Sequence, residues 1–263
     1  MLRRLLRPAV HKWRRLLVQE RGRLFARQPV TIQGSGAQVR PNHLREFFDG
    51  HRTGPGIWKW RHYFEIYDRH FAKFRGRELN LLEIGIYSGG SLMMWRDYFG
   101  NRCTIHGVDN QAECLAYESS SVRVYIGDQG DPAFWSNTRK SLPRLDIVVD
   151  DGGHTYDQQR TTLEWLLPHM RPGGVYLCED IHNTGNEFAA FVYGMADELN
   201  SVTDVKSDPS TPDQRLTSRA TGIQTGIKSI CLYPFVAVIE LSDEPVDGFV
   251  APKHGTEWQP FLS

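Results

Sequence analysis

The segment Leu145 to His154, LDIVVDDGGH, constrains the fold more tightly than any other stretch of the chain. Leu145 and Ile147 to Val149 form an apolar run that suits a strand buried on both faces, and the run stops at two carboxylates, two glycines and a histidine. Such a strand belongs inside a parallel sheet and delivers its polar residues at the carboxyl end, where open α/β sheets bind ligands. A second run, Gly174 to His182 (GVYLCEDIH), repeats the arrangement with Glu179 and Asp180 at its end. If the two strands are neighbours, their acids and a histidine converge. A cluster of that kind repels itself unless a cation neutralises it, and a divalent metal is the economical choice.

The flanking sequence supplies the rest of the sheet. Leu79 to Ile86 reads as a first strand, followed by YSGGS and a helix over Leu92 to Tyr98. Cys103 to Asp109 is a second strand and Val122 to Ile126 a third, with a helix around Asp131 to Ser141 before the fourth. A helix over Tyr156 to His169, stopped by Arg171 to Gly174 (RPGG), leads to the fifth. Strands and helices alternating in this way predict an α/β fold: a doubly wound, Rossmann-like, mostly parallel seven-stranded sheet. Downstream, Phe188 to Leu199 reads as a helix, Val202 to Val205 as a strand and Ser207 to Thr225 as a polar loop. Ile227 to Leu241, divided by Tyr233 and Pro234, predicts a closing hairpin that supplies the antiparallel C-terminal strand.

Upstream, Asn42 to Asp49 suits a short helix, His51 to Trp60 is a Gly/Pro loop ending in aromatics, and Tyr63 to Lys73 is a helix with Tyr63, Ile66, Tyr67, His70 and Phe71 on one face. The first residues differ in character. Nine basic residues between Met1 and Arg27 face a single acid, Glu20, giving a formal +8 that the remaining chain balances with −8. Leucines, Trp13 and other apolar residues recur there at helical spacing, so the terminus reads as a basic amphipathic helical extension, with Pro8 a candidate break in its first turn. It suits packing on its own domain or a second subunit, contact with a membrane surface, or an organelle presequence. Pro29, Gly34, Ser35 and Gly36 mark a linker over Gln28 to Gln38, so residues 1–38 form the extension and 39–263 the main domain.

These features exclude several classes. A net-acidic main domain argues against nucleic acid as a partner, because phosphate binding needs clustered Lys and Arg. The four cysteines show no metal-binding or redox spacing and suit a reduced, cytoplasmic protein, membrane-associated only through the helical extension. No apolar run is long enough to span a bilayer.

The first strand's turn, Glu83-x-Gly85-x-x-x-Gly89-Gly90, lacks the dinucleotide signature G-x-G-x-x-G. An acid within that strand, Asp109 ending the second, Asp128 and Gln129 after the third and RPGG before the fifth together resemble class I S-adenosylmethionine-dependent methyltransferases. The resemblance implies a cofactor bound by Glu83, Gly85, Tyr87, Gly89 and Ser91, with Asp109 on the ribose hydroxyls and Asp128 and Gln129 at the adenine. A plainer reading keeps Gly85 and Gly89 for a tight turn and Asp109 for a helix cap.

Four motifs narrow the family: LEIGxxxGGS, Gly127 to Phe134 (GDQxDPxF), Asp150 to His154 (DDGGH) and Glu179 to His182 (EDxH). Over roughly Gly54 to Leu241 they resemble the metal-dependent sugar O-methyltransferases of macrolide tailoring and the related cephalosporin hydroxylase-like proteins. That resemblance implies Mg²⁺ held by Asp151, Glu179 and Asp180, His154 as general base, a sugar hydroxyl as acceptor and a homo-oligomer. The chemistry is consistent: a sugar hydroxyl ionises far above pH 7, so its methylation needs a base or an acidifying cation. Asp150 points the other way from Asp151 along the strand, toward the cofactor or a helix N-terminus. Trp58, Trp60 and Tyr63 suit either a lid over the sugar or the core, His182 either the acceptor pocket or a loop hydrogen bond, and His154 alternatively caps the next helix. A non-sugar diol would use the same metal logic, and a binding protein that keeps the fold without the reaction is the alternative outside enzymes.

Overall fold

The computed structural model describes residues 2–30, 41–182, 186–207 and 216–255, with side chains from Trp13 onward. Most of the expected linker and residues 208–215 of the expected polar loop lie outside the described residues. Contacts divide the chain into two units, Met1–Pro41 and Asn42–Ser263. The first contains α1 (Leu2–Ala26), which runs through Pro8 without a break because leucine and arginine, both strong helix formers, surround it. Trp13, Leu16, Leu17 and Leu24 are exposed along it. Among the described residues no helix is long and apolar enough to cross a membrane.

The second unit begins with α2 (His43–Gly50), capped by Asn42, whose side chain accepts from the Arg45 amide, and α3 (Tyr63–Phe71). Then follow β1 (Leu79–Ile84), α4 (Gly90–Phe99), β2 (Cys103–Asp109), β3 (Val122–Ile126), α5 (Pro132–Thr138), β4 (Leu145–Asp150), α6 (Tyr156–Leu166), β5 (Met170–Cys178) and α7 (Phe188–Leu199). The chain continues through β6 (Thr203–Ser207), β7 (Leu216–Arg219), α8 (Gly222–Gly226), β8 (Ile227–Tyr233), β9 (Val236–Leu241) and β10 (Gly248–Ala251). Local chemistry sets the boundaries. Asp131 caps α5 with Pro132 at its first position, and Thr155 caps α6.

The main sheet has the order β3-β2-β1-β4-β5-β9-β8, parallel from β3 to β5 and antiparallel at β9 and β8. The predicted doubly wound sheet therefore forms, and the expected hairpin closes it. Two details differ. The fifth strand ends at Cys178, so Glu179, Asp180 and His182 stand on the turn beyond it rather than inside it. β6 forms where Val202 to Val205 was expected as a strand, but its second-sheet partners, β7 inside the expected polar loop and β10, left no signal because they are short and largely exposed.

Period-two alternation sorts the central strands onto two cores. Leu81, Ile147, Val149, Val175 and Leu177 pack with Tyr67, Phe71, Trp95 and Phe99, while Leu82, Val148 and Tyr176 pack with Trp135, Leu163, Phe188 and Val192. Each fully buried large side chain contributes roughly 2 kcal/mol. Strand order reverses between β1 and β4, since the chain moves outward from β1 to β3 and then returns to β1's other edge. The crevice at that reversal is where such sheets place ligands.

One core histidine makes the fold pH-sensitive. Burial, reinforced by Arg123, pushes the His106 imidazole down to about 4 from its ordinary 6.5. The unfolded chain takes up this proton first, so the contribution to stability is present above pH 6.5 and lost as pH falls toward 4. Urea unfolding at pH 7 and pH 5 should show that His106→Phe loses roughly 2 kcal/mol less on acidification than the wild-type chain. Equal losses would contradict this assignment.

Candidate active site

The turn after β1 builds one half of the crevice. Gly85 has φ +80, and a Cβ there would meet the Asp151 carbonyl oxygen at 2.1 Å, so only glycine lets the β1 and β4 turns approach each other. Tyr87, also left-handed at φ 42, donates its amide to Asp109 Oδ2 at 2.9 Å, and the Gln111 amide reaches Oδ1 at 3.0 Å. Asp109 is thus held by backbone amides and caps no helix, and each oxygen keeps a lone pair for the crevice it lines. Asp128, whose carboxylate accepts from the Gly130 amide, lines the same end. Ser91 lines it too and donates to Glu83 Oε2 at 2.7 Å; Glu83 itself is fully buried beneath. Gly89, at φ +74, packs against Tyr117 away from the crevice.

Gln129 lines the crevice and is anchored beneath it, whereas Asp150 does not line it. Gln129 Nε2 donates to Asp150 Oδ1 at 2.9 Å and to Thr162, and its Oε1 accepts from the Gly153 amide at 2.7 Å. Asp150 is sealed from solvent, its second oxygen bonded to the Tyr176 hydroxyl at 2.9 Å, and burial pushes its carboxyl up to about 6. The expectation that Asp150 faces the cofactor is therefore corrected. Strand alternation sends it into the core around Tyr176 and sends Asp151 to the crevice.

The other half of the site is organised by Lys59. Its ammonium lies 2.6 Å from Asp151 Oδ2, 3.1 Å from each Glu179 oxygen and 3.6 Å from Glu83 Oε1, with the lysine only 7% exposed. Burial by itself would lower its pKa, but the charges of Asp151, Glu179 and Glu83 outweigh that and raise it. Glu179, 1% exposed, also accepts from the Tyr67 hydroxyl at 2.6 Å. Burial raises its carboxyl, Asp151 adds to the rise, and Lys59 and Tyr67 oppose it. Lys59 was not among the site residues expected from the sequence. Its signal was a lone lysine between two tryptophans in a loop otherwise lacking acids.

Asp180 faces the crevice from the opposite side. Trp60 Nε1 at 3.0 Å and the Tyr63 hydroxyl at 2.6 Å hold its Oδ1, while Oδ2 lies 3.7 Å from His154 Nε2. His154 Nε2 is also 4.0 Å from Asp151 Oδ1. His154 and Asp180 both sit at positive φ, 54 and 51, a strained backbone that functional sites often hold. Thr155 rather than His154 caps α6, which removes the capping alternative for the histidine. Ligand atoms of Asp151, His154 and Asp180 lie within 4.8 Å of one another, half-buried, and His154 Nδ1 is buried without a partner. Two hard carboxylates facing one half-buried point fit a divalent cation, with His154 Nε2 beside them. Glu179 stands outside this converging set because Lys59 and Tyr67 hold its oxygens.

A cleft of about 810 Å³ joins the two halves, running from Asp109 and Asp128 to Asp180 and His182. Tyr63 belongs to the core, with its hydroxyl reaching the site, while Trp58 and Trp60 are 90% and 51% exposed at the rim. His182 is exposed on the cleft wall, its ring 4.9 Å from that of Phe235 on the β8–β9 turn.

The sheet order places the cleft at the ends of β1 to β5, with an acid closing β2; residues 82–181 match the family described as Methyltransferase domain. Among known proteins, the chain is similar to Demethylmacrocin O-methyltransferase of Streptomyces fradiae, 39% identical over 166 residues that cover 60% of this chain and 41% of that protein. Mycinamicin VI 2''-O-methyltransferase of Micromonospora griseorubida is 38% identical, again covering 60% of this chain and 41% of the relative. The chain therefore spans about two-fifths of the length of these relatives. Among solved structures, MycE methyltransferase from the mycinamycin biosynthetic pathway, in complex with Mg and SAH, matches with a TM-score of 0.59 and 26% identity, covering 78% of this chain and 55% of MycE.

Replacing Lys59 with methionine leaves Glu83 and Glu179 buried without their cation. Denaturant titration of Lys59→Met should show a loss of about 3 to 5 kcal/mol, whereas unchanged stability would mean that the ammonium does not neutralise the cluster.

Proposed function

We propose that the protein is a Mg²⁺-dependent O-methyltransferase that moves a methyl group from S-adenosylmethionine to a sugar hydroxyl of a glycosylated compound or glycan. The observation carrying this reading is the convergence of Asp151, His154 and Asp180 at the end of a methyltransferase cofactor cleft. The relatives add the acceptor class, for they include enzymes named for the 2'-hydroxyl of a rhamnosyl tetracenomycin and the 2''-hydroxyl of mycinamicin VI.

Asp109 accepts the ribose hydroxyls with the lone pairs its backbone contacts leave free, Asp128 lies at the adenine end, and Ser91 stands above Glu83 at the amino-acid end. Bound there, S-adenosylmethionine supplies an electrophilic methyl group on a sulfonium. Asp151 and Asp180 would hold Mg²⁺ where they converge. Glu179, the third expected ligand, keeps its oxygens on Lys59 and Tyr67. The ion supplies Lewis acidity that lowers the acceptor hydroxyl's pKa. His154 takes the hydroxyl proton at Nε2, the nitrogen that faces the crevice acids. Trp60 and Tyr63 orient Asp180 through its Oδ1, and Trp58, Trp60 and His182 offer aromatic faces to the sugar. Four unpaired cysteines suit a reducing, cytoplasmic setting. The exposed apolar and basic residues of α1 suit contact with a second copy of the chain or an anionic surface.

Methyl transfer to a panel of glycosylated acceptors tests the reading. Activity should require Mg²⁺, vanish on chelation and fall to background in Asp151→Ala. His154→Ala should lower turnover by about 10²-fold to 10⁴-fold while leaving cofactor affinity intact. Full activity after exhaustive chelation, or normal turnover in His154→Ala, would overturn the respective assignment.

A further inference from the structure

The turns bearing His154 and Asp180 follow different strands, yet a pair of buried amides ties one to the other. Asn186, just before α7, donates Nδ2 to the His154 carbonyl at 2.8 Å and to Gln159 Oε1 at 2.7 Å. Gln159, on α6 and fully buried, donates its own Nε2 to the Glu179 carbonyl at 3.0 Å. Asn186 Oδ1 accepts from the Phe188 amide at 2.8 Å, which fixes the asparagine to the first turn of α7. The result is one directed chain: His154 carbonyl, Asn186 amide, Gln159 amide, Glu179 carbonyl. Turning either amide over would set oxygen against oxygen, so the polarity of the chain is determined. Neither amide residue lines the cleft itself.

We infer that Asn186 and Gln159 are positioning residues that set the separation between His154 and the Glu179–Asp180 pair. The inference rests on the methyltransferase reading above. Left-handed residues such as His154 and Asp180 persist only where their surroundings over-determine them. Each of the two turns carries one such residue, and the amide chain grips a carbonyl at or beside it. Hydrogen bonds one step behind a metal ligand typically govern both its orientation and its affinity.

The test compares Asn186→Asp, which keeps the shape and the bond from Phe188 but turns a carboxylate oxygen toward the His154 carbonyl, with Gln159→Leu. Val192→Ala, in the core on the same α7, serves as a destabilised control. Calorimetry with Mn²⁺ in the presence of S-adenosylhomocysteine, and kcat and KM for methyl transfer, are measured on all four proteins. Asn186→Asp and Gln159→Leu should weaken Mn²⁺ binding and lower kcat by about 10-fold to 100-fold, with S-adenosylhomocysteine affinity kept within about 2-fold. Val192→Ala should lower the Tm and leave Mn²⁺ affinity unchanged. Unaltered Mn²⁺ affinity and kcat in both amide variants, or equal losses in Val192→Ala, would overturn the inference. A wild-type protein that binds no Mn²⁺ refutes the metal reading instead. The amide chain is then decided by the ¹⁵N shifts of the His154 ring, which must differ between wild type and Asn186→Asp.

Discussion

Negative charge packed at the ends of β1, β4 and β5 is the constraint on which the rest of the site depends. Glu83, Asp151, Glu179 and Asp180 would drive these turns apart or take up protons if left alone. Lys59 meets three of the four from the inner side, and it does so because the loop before α3 carries it over the strand ends. Asp151 Oδ1 and Asp180 Oδ2 then remain on the crevice side, facing His154. One resident ammonium thus divides the cluster into a neutralised interior and an open face that fits a divalent ion.

The framework that holds this division is local and specific. Gly85 lets the β1 turn touch the backbone of Asp151, Gln129 pins the Asp150 to Gly153 turn from below, and Trp60 and Tyr63 use up one oxygen of Asp180. Adjacent acids on one strand accordingly do different work. Asp150 belongs to the core network with Tyr176, and Asp151 belongs to the crevice.

Much of this was legible in the sequence. Apolar runs ending in acids marked β2, β4 and β5, and one carrying an acid near its end marked β1, because a strand buried on both faces has few polar positions, and those it keeps lie at the ligand end. The motif order pointed to the cleft and to acids of β4 and β5 meeting His154 for the same reason, with Glu179 rather than His154 grouped with Asp151 and Asp180. Lys59 was not legible: its partners are 24, 92 and 120 residues away in sequence, and no local periodicity reports an ion pair of that range. The same distance hid the engagement of Glu179 by Lys59 and Tyr67. Gln159 and Asn186 looked like ordinary polar residues of a helix and a loop, since an amide's role shows only in what it bonds.

The central claim is that a divalent ion binds at the open face of the acid cluster while Lys59 keeps the inner face. Anomalous diffraction from crystals grown with Mn²⁺ and S-adenosylhomocysteine tests it most directly. The account predicts one peak within bonding distance of Asp151 and Asp180, with the Lys59 ammonium still against Glu179. A peak in the place of the Lys59 ammonium, or no peak at the cluster at saturating Mn²⁺, would contradict it.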